Sequence, residues 1–423
     1  MNKPLAVVSC PLDTYSGYGA RARDFVKALI ALDKYEVKTL SQRWGNTRYG
    51  YLADHKEDTL SSTIIPNLTK KPDLWIQITV PNEFQPVGTY NIGVTAGMES
   101  TLVHQSWLEG CNRMDLILTS SKHSLDVFKG TRYDMKDQNS DKIVKTIKLE
   151  KPVEILLEGA DLNKYFANPT VAFDLSNVEE SFNYLFVGHW MQGDIGQDRK
   201  NVGYMIKAFL ETFKNKPKQP GLVIKTQQVG SSLLDKERIL NKIDQIRNTV
   251  KGKLPNIYLV TGELTDEQIN QLYNNPKVKA MISFTKGEGF GRPLLEFSLT
   301  GKPIIASAWS GQIDFLDKDK AVLIGGNLTN VHPSAAVKDM ILEQSKWFTP
   351  DDSQVGKALT EVFKKYKDFV RPAKQLKNTN KKNFSFEKMV EILKGLDIKY
   401  VPKFAVQVEL QLPKLELPKL QKI

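Results

Sequence analysis

The chain has 423 residues and a mass of 47.8 kDa, too long for one ordinary hydrophobic core and long enough for two domains. Its composition, 41% hydrophobic and 25% charged, is that of a globular protein and argues against wholesale disorder. No apolar run reaches the roughly 18 residues that a membrane-spanning helix needs. The N-terminal residues 1–9 are typical of a first β-strand rather than of a signal peptide.

The numbers and positions of cysteine and histidine bear on the cellular compartment and on metal binding. The two cysteines, Cys10 and Cys111, exclude a disulfide scaffold and indicate a reducing, cytoplasmic compartment. The five histidines are scattered, with no pair at the spacing of metal ligands, so the sequence predicts no metal site.

The net charge of +11 is concentrated near the C-terminus. Residues 1–165 and 166–363 each carry +1, whereas residues 364–423 carry +9. A basic segment of this kind can bind nucleic acid, an anionic membrane surface or a protein partner. The alternative is a solvated extension without a partner.

Short β-type runs alternate with helical stretches almost to the end of the chain. The amphipathic stretches 20–32 and 235–250 predict helices. The runs predict two series of buried strands, at 5–9, 36–40, 74–79, 91–96 and 116–120, and then at 184–188, 222–226, 257–261, 280–284, 303–307 and 321–324.

This alternation predicts an α/β protein with two doubly wound, Rossmann-like domains. The boundary is expected at 165–182, where polar residues and Pro169 interrupt the apolar pattern, and the polar segment 129–150 is expected to be a surface insertion. The carboxyl ends of both sheets should face a central cleft, which is the default ligand site of such folds.

Two glycine-rich loops are placed to meet a ligand in that cleft. Gly17 and Gly19 lie between the first strand and the first helix, where a plain tight turn is the equal alternative. The second loop, residues 287–291, follows the buried strand 280–284 and precedes a helix that begins near Pro293. Its amides, from Gly289, Phe290 and Gly291, are suited to a phosphate, and the flanking carboxylates Glu288 and Glu296 can accept hydrogen bonds from hydroxyls.

This second loop resembles the E-x7-E motif of the retaining glycosyltransferases of family 4, which have the GT-B fold. Further segments resemble the same family: 301–307 is similar to its "GKPVIAS" strand, and 259–273 to its "G-x-L-x-(D/E)-E…LY" stretch. Residues 158–166 resemble "NGVD…F", and 186–209 resemble "VGR…KN…A-F". The resemblance covers about 151–330 well and 1–150 more loosely.

The resemblance implies transfer of a sugar from a UDP- or GDP-sugar to an acceptor hydroxyl, without a metal or another cofactor. Residues 1–165 would form the acceptor-side domain and 182–363 the domain that binds the nucleotide sugar. Residues 364–400 would include a late helix that crosses back to the first domain, followed by a tail, 401–423. Glu288 would contact hydroxyls of the donor sugar, Glu296 would bind the ribose, and the loop amides, with Arg199 and Lys200, would hold the diphosphate.

The sequence departs from the family pattern at His189, where the family has Arg, and over 190–198, which is longer than usual. Arg199 is therefore expected to replace the missing Arg, or the diphosphate contacts differ. Phe297 stands where the family commonly has Ala. In the N-terminal half, Glu99 and His104 are candidates for a catalytic role in orienting the acceptor hydroxyl.

The acceptor remains open between a glycan, a lipid-linked saccharide, a protein and a modified nucleic acid. The tail repeats Leu-Pro-Lys-Leu at 412–415 and 417–420, and its prolines exclude a helix there. It can add to the sheet edge of a partner or lie along its own domain. A binding or assembly protein on a degenerate glycosyltransferase fold is the competing function, because a fold alone does not establish activity.

Overall fold

A computed structural model describes residues 3–137, 142–168, 173–227 and 233–404. The Leu-Pro-Lys-Leu repeat at 412–415 and 417–420 lies outside the described residues. No helix in the described part of the chain is long and apolar enough to cross a membrane.

The N-terminal half contains a parallel sheet whose strands are covered by helices. The strands of this half of the chain are β1 (Leu5–Cys10), β2 (Glu36–Ser41), β3 (Leu74–Ile78), β4 (Tyr90–Val94), β5 (Leu116–Thr119), β6 (Arg132–Lys136), β7 (Ile143–Lys148) and β8 (Val153–Ile155). Its helices are α1 (Gly17–Ala31), α2 (Tyr51–Asp54), α3 (Asp58–Ser61), α4 (Gln105–Asn112) and α5 (Lys122–Gly130). Six strands pair in parallel in the order β2-β1-β3-β4-β5-β8, while β6 and β7 form a separate antiparallel pair.

The C-terminal half repeats the same architecture. Its strands are β9 (Asn183–Val187), β10 (Gly221–Lys225), β11 (Ile257–Val260), β12 (Val278–Ser283), β13 (Ile304–Ser307), β14 (Val322–Ile324), β15 (Gly326–Asn330) and β16 (Lys346–Pro350). Its helices are α6 (Val202–Phe213), α7 (Leu233–Asn248), α8 (Asp266–Asn274), α9 (Arg292–Ser298), α10 (Asp352–Lys364), α11 (Tyr366–Asn383) and α12 (Phe386–Tyr400). The parallel sheet has the order β11-β10-β9-β12-β13-β14, and β15 pairs with β16 as an antiparallel hairpin.

The two parallel sheets confirm the doubly wound α/β class. Every residue of β1 and β10 is buried, as the continuous apolar runs predicted for strands covered on both faces. All eleven predicted strands have counterparts, whereas the sequence interpretation missed β8 and the two hairpins. The polar segment around 129–150, predicted as a surface insertion, contains the largely exposed strands β6 and β7.

The last helix returns to the N-terminal domain. The N–H of Ala160 donates to Phe384 O, and the N–H of Phe386 donates to Ala160 O, at 2.9 Å each. From there α12 packs on α1, with Met389 and Leu393 in one hydrophobic cluster with residues of both domains. The chain therefore closes the two domains into one body through its own C-terminal helix.

The basic segment is mostly helical. The side chains of Lys374 and Lys377 lie beside Gly301 of the C-terminal domain, and Lys381 and Lys382, in the last turn of α11, are exposed. Part of the positive charge at 364–383 therefore lies on a helix that packs on the C-terminal domain.

Leu393→Ala tests the packing of α12. Leu393 is 4% exposed, so we expect its truncation to lower the free energy of unfolding by about 2–5 kcal/mol, the usual cost of a buried Leu→Ala change. The matched control is Ile398→Ala on the same helix, where the side chain is 73% exposed and little change is expected. Equal shifts of the two urea midpoints would show that α12 does not pack as described.

Candidate active site

The glycine-rich loop after β12 lies at the carboxyl end of the C-terminal sheet, where α9 begins. Gly291 is the N-cap of α9, with φ at +99°, a conformation that favours glycine. The N–H groups of Gly289, Phe290 and Gly291 donate to no other residue in the described part of the chain. Three backbone donors therefore remain for an anionic group beside a helix N-terminus.

Glu288 lies between two cations from the segment that precedes α6. Lys200 Nζ is 2.6 Å from Glu288 Oε1, and Arg199 Nη1 is 3.4 Å from Glu288 Oε2. Arg199 Nη1 also donates to Gly287 O at 2.8 Å, and the Glu288 N–H donates to Ser310 Oγ at 2.8 Å. The contacts hold both the carboxylate and its backbone in place.

Burial and ion pairing together determine the pKa values of Glu288, Lys200 and Arg199. Burial alone would raise the pKa of the Glu288 carboxyl, but Lys200 and Arg199 lower the pKa below its usual value. Burial lowers the pKa of Lys200, and Glu288 opposes that shift. Burial also acts to lower the pKa of Arg199, but Glu99 and Glu288 raise it above its usual value. The site thus holds an ionised carboxylate and an ionised guanidinium in the cleft.

Glu99 brings the N-terminal domain into the same cluster. Its Oε1 atom lies 3.6 Å from Arg199 Nη2, so Arg199 contacts carboxylates from both domains. The structure therefore brings together four of the residues proposed from the sequence: Glu99, Arg199, Lys200 and Glu288.

The two domains approach each other closely because glycines line the contact. A Cβ added at Gly289 would lie 2.3 Å from the carbonyl oxygen of Ala96, and one added at Gly287 would lie 1.9 Å from that of Glu99. Ser120 Oγ donates to Ala96 O at 2.8 Å and to Gly289 O at 3.1 Å. The structure is thus a closed arrangement, with the loop 287–291 packed against the N-terminal domain.

Glu296 occupies the first turns of α9 but is not in direct contact with Glu288. It is buried, and its Oε1 atom accepts a hydrogen bond from Arg292 Nε at 2.8 Å. Burial raises the pKa of the Glu296 carboxyl above its usual range, and the guanidinium of Arg292 opposes that rise. The Glu296 carboxylate, near the N-terminus of α9, can still accept a hydrogen bond from a hydroxyl group.

His104 serves a local structural role in this structure. Its Nδ1 atom accepts from the Ser106 N–H at 3.2 Å and thereby caps α4. Its Nε2 atom lies 3.4 Å from Asp339 Oδ1, and its side chain is one-third exposed. No hydrogen bond or ion pair joins His104 to Glu99, Arg199 or Glu288 within the described residues.

The two glycines of the first glycine-rich loop differ in their surroundings. Gly17 is exposed and has open space at its Cβ position, whereas a Cβ at Gly19 would lie 2.3 Å from Thr14 O. The Gly19 N–H donates to the side chain of Ser16, the N-cap of α1, at 2.8 Å. Gly19 is thus needed for close packing, and its own N–H is occupied by the cap.

His189 stands where the family pattern has Arg, and its surroundings disfavour the protonated, positively charged form. Burial lowers its pKa below the usual value, and the nearby Lys200 and Lys225 lower it further. The cationic groups that contact Glu288 come from Arg199 and Lys200 instead.

The sequence interpretation missed Arg292, Asp24 and Glu158. Arg292 pairs with Glu296 on its own helix and with Asp24 of α1, and it lies 3.9 Å from Glu158 Oε2. The i,i+4 spacing of Arg292 and Glu296 was a usable signal for the local pair. No spacing in the sequence indicates the contacts with Asp24 and Glu158, because those residues belong to the other domain.

Comparison with known proteins identifies the fold. No protein-family model and no curated protein matches the sequence. Among solved structures, sucrose-phosphate synthase from Thermosynechococcus elongatus is 13% identical, with 94% of this chain and 99% of that chain aligned and a TM-score of 0.61. Anabaena HepE in complex with UDP-glucose is 12% identical, with coverages of 93% and 100% and a TM-score of 0.60.

A third similar structure, described as trehalose-6-phosphate from E. coli bound with UDP-2-fluoro glucose, is 11% identical, with coverages of 94% and 100% and a TM-score of 0.59. At these identities the likeness establishes architecture. It confirms the GT-B fold of two Rossmann-like domains that the sequence predicts.

Gly289→Ala tests the close approach of the domains. The added methyl group would meet the backbone of Ala96, which cannot move aside like a side chain, so we expect the domains to separate. Small-angle X-ray scattering should give a larger radius of gyration than for the wild type. Gly130→Ala is the control, because its Cβ would meet nothing within 4 Å. An unchanged radius in a folded Gly289→Ala protein would contradict the described contact.

Proposed function

We propose that this chain is a retaining glycosyltransferase that moves a sugar from a nucleotide-sugar donor to an acceptor hydroxyl. The proposal is based on the contacts of Glu288, whose carboxylate is bound by Lys200 and Arg199. Beside it lie the uncommitted N–H groups of Gly289, Phe290 and Gly291 at the start of α9. Cations, oriented amides and a carboxylate in a closed cleft match a donor that carries a diphosphate and a polyhydroxylated sugar.

Each group has a separate part in the proposed reaction. The diphosphate leaving group gains negative charge as its bond to the sugar breaks, and Arg199, Lys200 and the loop amides stabilise that charge. Glu288 accepts hydrogen bonds from hydroxyls of the donor sugar and thereby fixes its orientation. Glu296 accepts hydrogen bonds from the ribose hydroxyls.

A uridine nucleotide is the first donor to test. HepE and the E. coli protein are described with UDP-glucose and UDP-2-fluoro glucose bound, and both align over nearly their whole length with this chain. Uridine is therefore proposed as the base, with GDP and ADP as the comparison nucleotides.

The acceptor is proposed to enter beside Glu99. Its carboxylate lies at the junction of the domains, 3.6 Å from Arg199, and its side chain is 30% exposed. Glu99 is thus placed to orient an acceptor hydroxyl by hydrogen bonding. The geometry favours Glu99 over His104, because the Nδ1 atom of His104 is engaged in capping α4.

A non-catalytic binding protein on this fold is the competing function. It predicts nucleotide binding without release or transfer of the sugar. Glu288 favours the enzyme, because its proposed partners are the hydroxyls of the donor sugar, which binding of the nucleotide alone does not require.

The two carboxylates of the E-x7-E motif are expected to respond differently to substitution. Glu296→Ala should weaken UDP binding by roughly 10- to 150-fold, since one hydrogen bond to a charged acceptor contributes roughly 1.5–3 kcal/mol. Glu288→Ala should not weaken UDP binding, because it removes a carboxylate that competes with the diphosphate for Lys200 and Arg199, and it should lower the turnover of UDP-glucose. Titration calorimetry with UDP, GDP and ADP gives the affinities, and release of UDP from UDP-glucose gives the turnover.

The control for this pair is Glu267→Ala on the exposed surface of α8, which should change neither quantity. Equal losses of UDP affinity in the Glu288 and Glu296 variants would contradict the division of roles. A wild type that binds UDP but releases no sugar to any acceptor or to water would favour the binding protein.

Glu99→Gln and His104→Asn separate the two candidate acceptor residues. Glu99→Gln should lower kcat for transfer by about 100-fold or more, the lower end of the range typical of a positioned acid–base group. His104→Asn retains a side-chain oxygen that can cap α4, so its kcat should remain near the wild-type value. The reverse order of the two kcat values would assign the acceptor role to His104.

A further inference from the structure

A partly buried network of charges joins α9 to the N-terminal domain. Arg292 donates through Nε to Glu296 Oε1 at 2.8 Å and through Nη1 to Asp24 of α1. Its Nη1 atom also lies 3.9 Å from Glu158 Oε2. Arg292 and Glu296 belong to the C-terminal domain, whereas Asp24 and Glu158 belong to the N-terminal domain. One guanidinium thus contacts carboxylates of both domains.

The network borders a charged cavity of about 130 Å³ between the domains. Its charged lining is balanced, with four cationic and four acidic side chains: Arg23, Lys27, Lys164, Arg292, Asp24, Glu57, Asp161 and Asp266. Two ion pairs of this lining join the domains: Arg292 with Asp24, and Lys164 with Asp266. Separation of the domains would remove Asp24 from Arg292.

We propose that Arg292 is a positioning residue that couples the carboxylate of Glu296 to closure of the two domains through its ion pair with Asp24. The role of Glu296 toward ribose rests on the proposed function, whereas the ion pair between the domains does not. Arg292 holds one oxygen of Glu296, and this orients the carboxylate for a hydroxyl acceptor role. Asp24, in turn, accepts a hydrogen bond from Nη1 of the same guanidinium and so holds it in place.

The coupling has a thermodynamic consequence. A nucleotide that binds Glu296 in the closed arrangement gains affinity from every contact that favours closure. Asp24 should therefore affect nucleotide affinity through Arg292 rather than by contact with the nucleotide. Other contacts between the domains remain when Asp24 is changed, among them Arg199–Glu99 and Lys164–Asp266, so the domains should loosen rather than come apart.

The chain offers a matched control in the same cavity. Lys27 Nζ lies 2.7 Å from Glu57 Oε1, and both residues belong to the N-terminal domain. Glu57→Gln removes one carboxylate charge from the cavity, as Asp24→Asn does, but breaks no contact between the domains. Any effect common to both variants is a general effect of charge in the cavity.

The experiment measures closure and nucleotide affinity separately. Spin labels at Lys71→Cys and Lys251→Cys, exposed positions in the two domains, report the distance between the domains by electron–electron double resonance. The natural Cys10 and Cys111 are buried and should not react. Calorimetry with UDP on the unlabelled full-length chain gives the affinity.

We expect Asp24→Asn to broaden the distance distribution of the nucleotide-free protein and to weaken UDP binding by about tenfold, a coupling of ordinary size. Glu57→Gln should leave both quantities near the wild-type values. In an Arg292→Gln background, Asp24→Asn should have little further effect on UDP affinity, because both variants remove the same link.

An unchanged distance distribution in Asp24→Asn overturns the proposal even if no nucleotide binds. Wild-type UDP affinity in Asp24→Asn, or additive effects of the two substitutions, overturns it while leaving the proposed function intact. A wild type that binds none of UDP, GDP and ADP removes the proposed function and, with it, the ribose role of Glu296.

Discussion

The ion pairs of Arg199 are the interactions on which the arrangement of the cleft depends. Arg199 reaches Glu288 on the loop after β12 and Glu99 on the loop after β4, so one side chain contacts the catalytic candidates of both domains. Lys200 completes the set at 2.6 Å from Glu288. In the absence of a donor, the carboxylates supply the negative charge that these partly buried cations require. A bound diphosphate would offer the cations a competing anionic partner.

This cluster forms only because the backbones of the two domains come into contact. Gly287 and Gly289 allow the loop to lie against Glu99 and Ala96, where a side chain would collide with a carbonyl oxygen. The parallel sheets place both loops at carboxyl strand ends, and α12 packs on α1 to hold the chain in this arrangement. The interface that joins the two domains therefore also forms the candidate active site.

Local sequence patterns were sufficient for much of the fold. Continuous apolar runs such as β1 and β10 are buried on both faces, so their strand character is visible without tertiary information. The hairpin strands β6 and β15 are mostly or fully exposed and carry no such run, and the interpretation missed them for that reason. The glycine-rich loop and Glu288 were recognisable from their position after a buried strand. Arg292 was not recognised, because its partners Asp24 and Glu158 are brought to it only when the domains meet.

The proposed reaction breaks the bond between a sugar and a nucleotide diphosphate with retention at the anomeric carbon. The most direct measurement follows UDP-[1-¹³C]glucose by NMR in the presence of the full-length protein and records the anomer of glucose that appears first. We expect α-glucose as the initial product, before mutarotation mixes the anomers. Initial release of β-glucose would contradict retention, and the absence of release from UDP-, GDP- and ADP-glucose, with water or any acceptor, would contradict the enzyme itself.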